Sequence, residues 1–448
     1  MLRFSLTRPT LRVTLVLVLF SLLLAACGGS STGSSSGKVT ITYLTHWSGP
    51  QVDQLNQAIS AYEKLHPEVT IQVRTVPFGN LLTTITTQGS SASGPTIMGI
   101  YNLWLPQLVQ DGLVAQAPTT FVQDIQRAYP QNVVSAVQVD GKTYGYPNEV
   151  DLYALNYNKA LFREAGIANP PATWDELVSD AVKLTKRDSS GKILQQGFGV
   201  ITSWNSGVVH PWLSLVDSDG GQLLSADHKP LLTSQAALDT ANLYYQLIFQ
   251  KKVTDPAMGQ ANASTTGPYL ENFVAGKTAM IIMANWWESN LKAGMGARFS
   301  DVGTAPIPVG PHGSGSHSVS YSWSTVVNAN ADPSQQEAAW QFLQWLNGPQ
   351  SGKNGSSAMG DILMGMGILP SRTSDLTAHQ ADLSEPFIST YVQQLKNSVP
   401  FPTVLGGDEL TTSLQKSLEA LMYGQSSPQQ AMTQAQNNLS QILSRYYA

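Results

Sequence analysis

Ten tryptophans stand in a 448-residue chain in which only 12% of the residues are charged. Several of them fall where a strand pattern gives way to a loop. Trp47 ends "KVTITYLTHW", Trp204 stands between Ser203 and Asn205, and Trp286 and Trp287 follow "AMIIMAN". Flat rings interleaved with short polar groups suit a sugar, which offers an apolar C–H face and a rim of hydroxyls. Catalytic chemistry finds less footing. The seven histidines are scattered, without H-E-x-x-H spacing or a Cys/His cluster. His312 and His317 share only a Gly/Ser loop, and "DSDGG" at 217–221 lacks the remaining ligands of an EF-hand loop. No metal or cofactor is therefore expected. A pair of carboxylates for glycoside hydrolysis stays open as a rival, because their separation is a property of the fold.

The single cysteine, Cys27, cannot form an intramolecular disulfide. It follows a stretch that reads as a signal peptide over residues 1–26: Arg3, Arg8 and Arg12 with no acid, then an almost wholly apolar run at 13–24, then Ala25 and Ala26. That run is about a dozen residues, short of the roughly 20 that span a bilayer as a helix. "LAAC" at 24–27 resembles the bacterial lipoprotein box, in which the peptide is cut before the cysteine and the thiol carries a lipid. Residues 28–37, "GGSSTGSSSG", have the composition of a random-coil tether. The expected location is extracytoplasmic, with the chain anchored to the outer face of the cell membrane through Cys27. Without the three signal arginines, 22 basic residues face 30 acidic ones, a net charge of −8. That sign argues against nucleic acid as a partner.

Positioning those residues falls to about 410 residues, enough for two lobes of ordinary size. "KVTITYLTHW" (38–47) alternates as a strand, "QVDQLNQAISAYEKLHP" (51–67) has helical spacing, and "VTIQVRTVP" (69–77) alternates again. A helix at 79–88, a short apolar strand at 96–101 and a helix near 104–111 follow. "PATWDELVSDAVKLTKRD" (171–188) reads as one helix, with Thr173 as N-cap and Glu176 completing a capping box. "GKTAMIIMANWW" (276–287) reads as a buried strand running into a loop. Residues 331–348 form an amphipathic helix that places Trp340 and Trp345 in a core, and the last forty or so residues are helical. This alternation predicts an α/β fold with ligands at the carboxyl ends of the strands.

"GKTYGYPNEVDLYALNYNKALFREAGIANPPATWDELVSDAVKLTK" (141–186) resembles the central signature of the family 1 extracellular solute-binding proteins, the group containing maltose-binding protein. "DGGQLL" (219–224), "FVAGKTAMIIMANWW" (273–287), "DVGTAPIPVG" (301–310), "AAWQFLQWLNGPQSG" (338–352) and "GILPSR" (367–372) recur downstream in the family's order. The likeness spans essentially all of 38–448. One stretch departs from it: the family often has Pro-Asp-Val before the third strand, where this chain has "GPTIMGIYNLW" (94–104).

The resemblance implies two α/β lobes with a ligand cleft between them, a periplasmic-binding-protein-like fold that closes by hinge bending. It puts the N-terminal lobe at 38–149 with 319–350 and the C-terminal lobe at 150–318 with 351–448. It implies a monomer that captures a carbohydrate and hands it to the permease subunits of an ABC importer. Asp151 falls where that family places a ligand-binding carboxylate, with Glu149 beside it as a substitute. Trp47 and Ser48 fall where the first lobe meets the cleft, and Trp286 is favoured over Trp287 for stacking. Tyr321 and Trp323 fall at the return crossing, and Tyr101, Asn102 and Trp104 in the departing loop. Trp204 is read as a loop residue of the site, Trp212 as core, and Arg372 as a contact for a hydroxyl or carboxylate. Other ligands would leave other marks: several acids in the cleft for a polyamine, a cluster of Arg, His or Tyr for phosphate or iron, a larger chain for peptides.

Overall fold

The computed structural model describes residues 38–447. The expected signal peptide, Cys27 and the tether lie outside the described residues. No helix among those described is long and apolar enough to cross a membrane.

The first sheet starts as the alternation requires. Val39–Thr45 pairs in parallel with Val69–Thr75 on one side and Ile97–Tyr101 on the other. A parallel pair needs a crossover. The helix Pro50–Leu65 supplies it, burying Leu55, Ile59 and Tyr62 along one stripe. The rest of the sheet comes from far along the chain. Trp323–Val327 lies antiparallel to Ile97–Tyr101, and Gly145–Pro147 lies antiparallel to Trp323–Val327 at the edge. Ile97–Tyr101 and Trp323–Val327 are buried at every position, as strands covered on both faces must be.

A second sheet is built around the ten-residue strand Glu149–Asn158, which pairs antiparallel with Thr278–Ala284, Val302–Ala305, Val319–Tyr321 and Leu369–Pro370. Ile193–Gly199 extends it in parallel beyond Thr278–Ala284. The chain passes between the sheets at Asn148 and at Ser322, and again where the helix Ala358–Met366 leads into Leu369–Pro370. These passages are tied together. Asn148 donates its backbone N–H to the Trp323 carbonyl (3.0 Å), and its own carbonyl accepts from Ser371 N (3.1 Å).

The capping box at Thr173 and Glu176 is present. Its helix, however, is Trp174–Leu184 rather than 171–188. Lys186–Arg187 turns into a short strand against Ile193–Gly199, and the Asp188 carboxylate holds the turn by accepting from Ser190 N and Lys192 N. The segment near 104–111 is a 3₁₀ turn, Asn102–Trp104, followed by the helix Leu105–Gln110. The C-terminal region divides into Gly407–Met422 and Pro428–Leu443, the latter opened by a capping box at Ser427.

Candidate functional site

Both sheets turn residues toward a cavity of about 380 Å³. At the end of Val39–Thr45, His46, Trp47 and Ser48 enter it, with the Trp47 backbone N–H held by Thr45 Oγ1 (3.2 Å). Tyr101 arrives at the end of its own strand, and Tyr321 and Trp323 flank the Ser322 passage. Trp204 is the extended residue that caps the helix Asn205–Ser218, and Trp286 and Trp287 lie in the 3₁₀ turn Asn285–Trp287.

Five of these rings and Phe78, the first residue of the helix Phe78–Gln88, close a circuit. Trp323 stacks on Tyr101 (5.9 Å between centroids, 24° between planes), and Tyr101 meets Tyr321 edge-on at 5.4 Å. Tyr321 Oη accepts from Trp286 Nε1 at 2.6 Å. Trp286 packs on Trp204 at 5.8 Å, Trp204 on Phe78 at 6.2 Å, and Phe78 returns to Trp323 at 5.9 Å. His46 lies on Trp323 at 4.1 Å, and burial pushes its imidazole down to about 4, so it is neutral at pH 7.

The same cavity is lined by two acids on one face of the Glu149–Asn158 strand. Two residues apart on a strand, they point the same way. Asp151 is 1% exposed and Glu149 3%. Asp151 stands opposite Tyr321 in the ladder, and its Oδ1 accepts from Asn285 Nδ2 at 3.1 Å. Burial raises both acids, Asp151 to about 7 and Glu149 well above its ordinary range. The charge of Asp151 raises Glu149 further, while the polar groups of Glu149 and Asn285 beside Asp151 work the other way on it. Glu149 is thus the member that keeps its proton. Behind them His210 is fully buried and bridges Tyr101 Oη (3.1 Å) and Tyr153 Oη (3.2 Å), its pKa pushed down to about 3 by burial.

Of the residues singled out from sequence, the structure brings Trp47, Ser48, Tyr101, Asp151, Trp204, Trp286, Tyr321 and Trp323 to this cavity. It does not bring Asn102, Trp104 or Arg372. The 3₁₀ turn rotates Asn102 onto Ser322 N (3.2 Å) and Thr403 Oγ1 (3.3 Å), and Trp104 Nε1 onto Asp408 Oδ1 (3.1 Å). Arg372 caps the helix Thr373–Ala378 with its guanidinium 5.5 Å above the Tyr129 ring and its Nε on Ser374 Oγ. Trp287, 2% exposed, packs into a core beneath Trp286 while an edge still reaches the cavity, and Trp212 and Trp340 are core. Sequence reasoning missed His46, Phe78 and the loop Ser264–Thr266. Phe78 stands just past the second strand as Trp47 stands past the first, a signal that was there to be used. The loop carries no periodicity. Among the described residues no group of three His, Cys, Asp or Glu side chains is placed to hold a metal ion.

Comparison with known proteins gives one consistent answer. The sequence profile of the bacterial extracellular solute-binding proteins matches residues 48–353. A putative binding protein of Brucella abortus is 26% identical over 422 residues, covering 93% of this chain and 95% of that protein. The galactooligosaccharide-binding protein of Bacillus subtilis is 22% identical over 426 residues, covering 93% of each. The GacH receptor of Streptomyces glaucescens, solved without ligand and with acarbose, superposes with a TM-score of 0.77 at 21% identity, over 91% of this chain and 99% of the receptor. At that identity the likeness speaks for the fold, which is α/β and two-lobed.

Proposed function

Because the chain belongs to the bacterial extracellular solute-binding proteins, we propose that it captures a sugar or oligosaccharide outside the membrane and delivers it to the permease subunits of an ABC importer. One observation carries the sugar reading: a closed circuit of rings and two buried acids lining one cavity. The rings would lie against C–H faces, and the Asp151 carboxylate would accept charge-assisted hydrogen bonds from hydroxyls. The relative named for galactooligosaccharides fits this reading. In the same reading residues 38–149 with 319–350 form one lobe and 150–318 with 351–448 the other, Cys27 carries a lipid after removal of residues 1–26, and the protein works as a monomer.

Binding is favoured over hydrolysis by the acids themselves. Glu149 and Asp151 project from one face of a single strand, whereas a glycosidase places its two carboxyls so that they flank the scissile bond. A thermal-shift screen over mono- and oligosaccharides is the test, since a ligand that binds only the folded state stabilises it by RT ln(1 + [L]/Kd). A sugar that raises the melting temperature and is recovered intact is the expected result. A response confined to non-sugar solutes would overturn the reading, and cleaved products would favour the enzyme. For the anchor, Cys27→Ser should yield a folded protein that leaves the membrane fraction.

A further inference from the structure

We propose that the ligand of this cleft is an amino sugar whose protonated amine sits against Glu149 and Asp151; the proposal rests on the sugar reading above and narrows it. The first observation is a charge without a partner. Among the described residues the cavity is lined by no Lys or Arg. Asn285 is bonded to Asp151, the ionisable groups that feel the charge of the pair are the phenols of Tyr43, Tyr101, Tyr153 and Tyr321, none of them a cation, and the nearby imidazoles of His46 and His210 are held neutral by burial. Glu288, on the next helix, is already paired with Lys292 (2.9 Å), and Arg372 is turned toward Tyr129 and Ser374. The second observation is an unpartnered polar atom. Glu149 Oε2 is buried, belongs to a residue lining the cavity, and has no hydrogen-bond partner.

A monoanionic pair enclosed away from water is costly unless something answers its charge. A neutral sugar answers with hydroxyl donors. An ammonium answers with three donors and the charge as well. The surrounding ring faces of Trp286, Tyr321 and Trp323 favour a cation for their own electrostatic reason. Anionic sugars are excluded on the same ground.

The test uses the full mature chain and isothermal calorimetry with matched probes: glucose against glucosamine, galactose against galactosamine, cellobiose against the glucosamine disaccharide, and spermidine as a cation that is not a sugar. At pH 7 at least one amino probe should bind roughly tenfold tighter than its neutral counterpart, the step expected for adding a charged hydrogen bond. That preference should shrink at pH 5, where Asp151 takes up a proton. Asp151→Asn should collapse the ratio, whatever it does to either affinity alone. Neutral sugars that bind as tightly as their amino counterparts, or a preference that survives Asp151→Asn or persists at pH 5, overturn the proposal while leaving the sugar reading in place. Binding of no sugar of either kind, or of spermidine alone, removes the sugar reading and the proposal with it.

Discussion

Trp286 is held at both ends, its indole N–H on Tyr321 Oη and its ring between Trp204 and Trp287. A ring so fixed loses little freedom on meeting a ligand, and Trp286→Ala should weaken binding by about 1–3 kcal/mol, the range for a well-packed aromatic anchor. Calorimetry on a variant with unchanged melting checks this. Glu149 makes a different kind of prediction. Its native pKa is raised, so the folded protein keeps a proton that the unfolded chain gives up above the ordinary carboxylate range. Native stability attributable to Glu149 therefore falls as pH rises. Glu149→Gln should stabilise the ligand-free protein at pH 8 and change it little near pH 4, as read by urea melts at both pH values. His46 and His210 titrate in the opposite sense, but they are common to both proteins and cancel in the difference.

The helix Asn205–Ser218 shows what sequence patterns can and cannot reveal at the level of elements. It is buried from Ser206 to Ser218, so it has no polar face and no 3.6-residue period to read. Gly207 and Pro211 further disguise it. Its capping residue, Trp204, was nonetheless singled out from its polar neighbours, and it lines the cavity. Elements with one wet face were easier to read: Pro50–Leu65 was legible almost to its ends, and Trp174–Leu184 at its capped start, though not at its C-terminus, where Lys186–Arg187 turns into a strand. Gly207 has its own task. A Cβ there would come within 2.2 Å of the Trp204 ring, which lies directly on the glycine backbone. Gly207→Ala should cost about 1–3 kcal/mol in stability, the usual result of overpacking, and should displace Trp204. Denaturant melts and ligand-induced tryptophan fluorescence would register the two effects separately. The turn at Asn102–Trp104 was misread for a related reason: a residue at a strand's end can rotate either way, and only the partners Thr403 and Asp408, some three hundred residues on, decide which.

Across the whole molecule the cleft is bridged where Gly79 donates its backbone N–H to the Ala263 carbonyl (3.1 Å) and Phe78 meets Trp204. If ligand holds both sides at once, closure follows from its greater affinity for the bridged form. Small-angle scattering should show the protein contract when ligand is added, and Phe78→Ala should shift that contraction to higher ligand concentration. The two-lobed plan was legible because its motifs run in order along the chain; the depth of the acids was not, since burial depends on what folds over them. The placement of Trp323–Val327 inside the first sheet also governs timing. Ile97–Tyr101 and Gly145–Pro147 have no common neighbour until that strand, more than 200 residues beyond Tyr101, has been made. Contacts so distant in sequence form slowly, because the intervening loop must close before they repay it. A nascent chain therefore leaves the ribosome with its first sheet unfinished and stays pliant through most of its synthesis, the condition a polypeptide needs if it is to be threaded through a membrane before it folds.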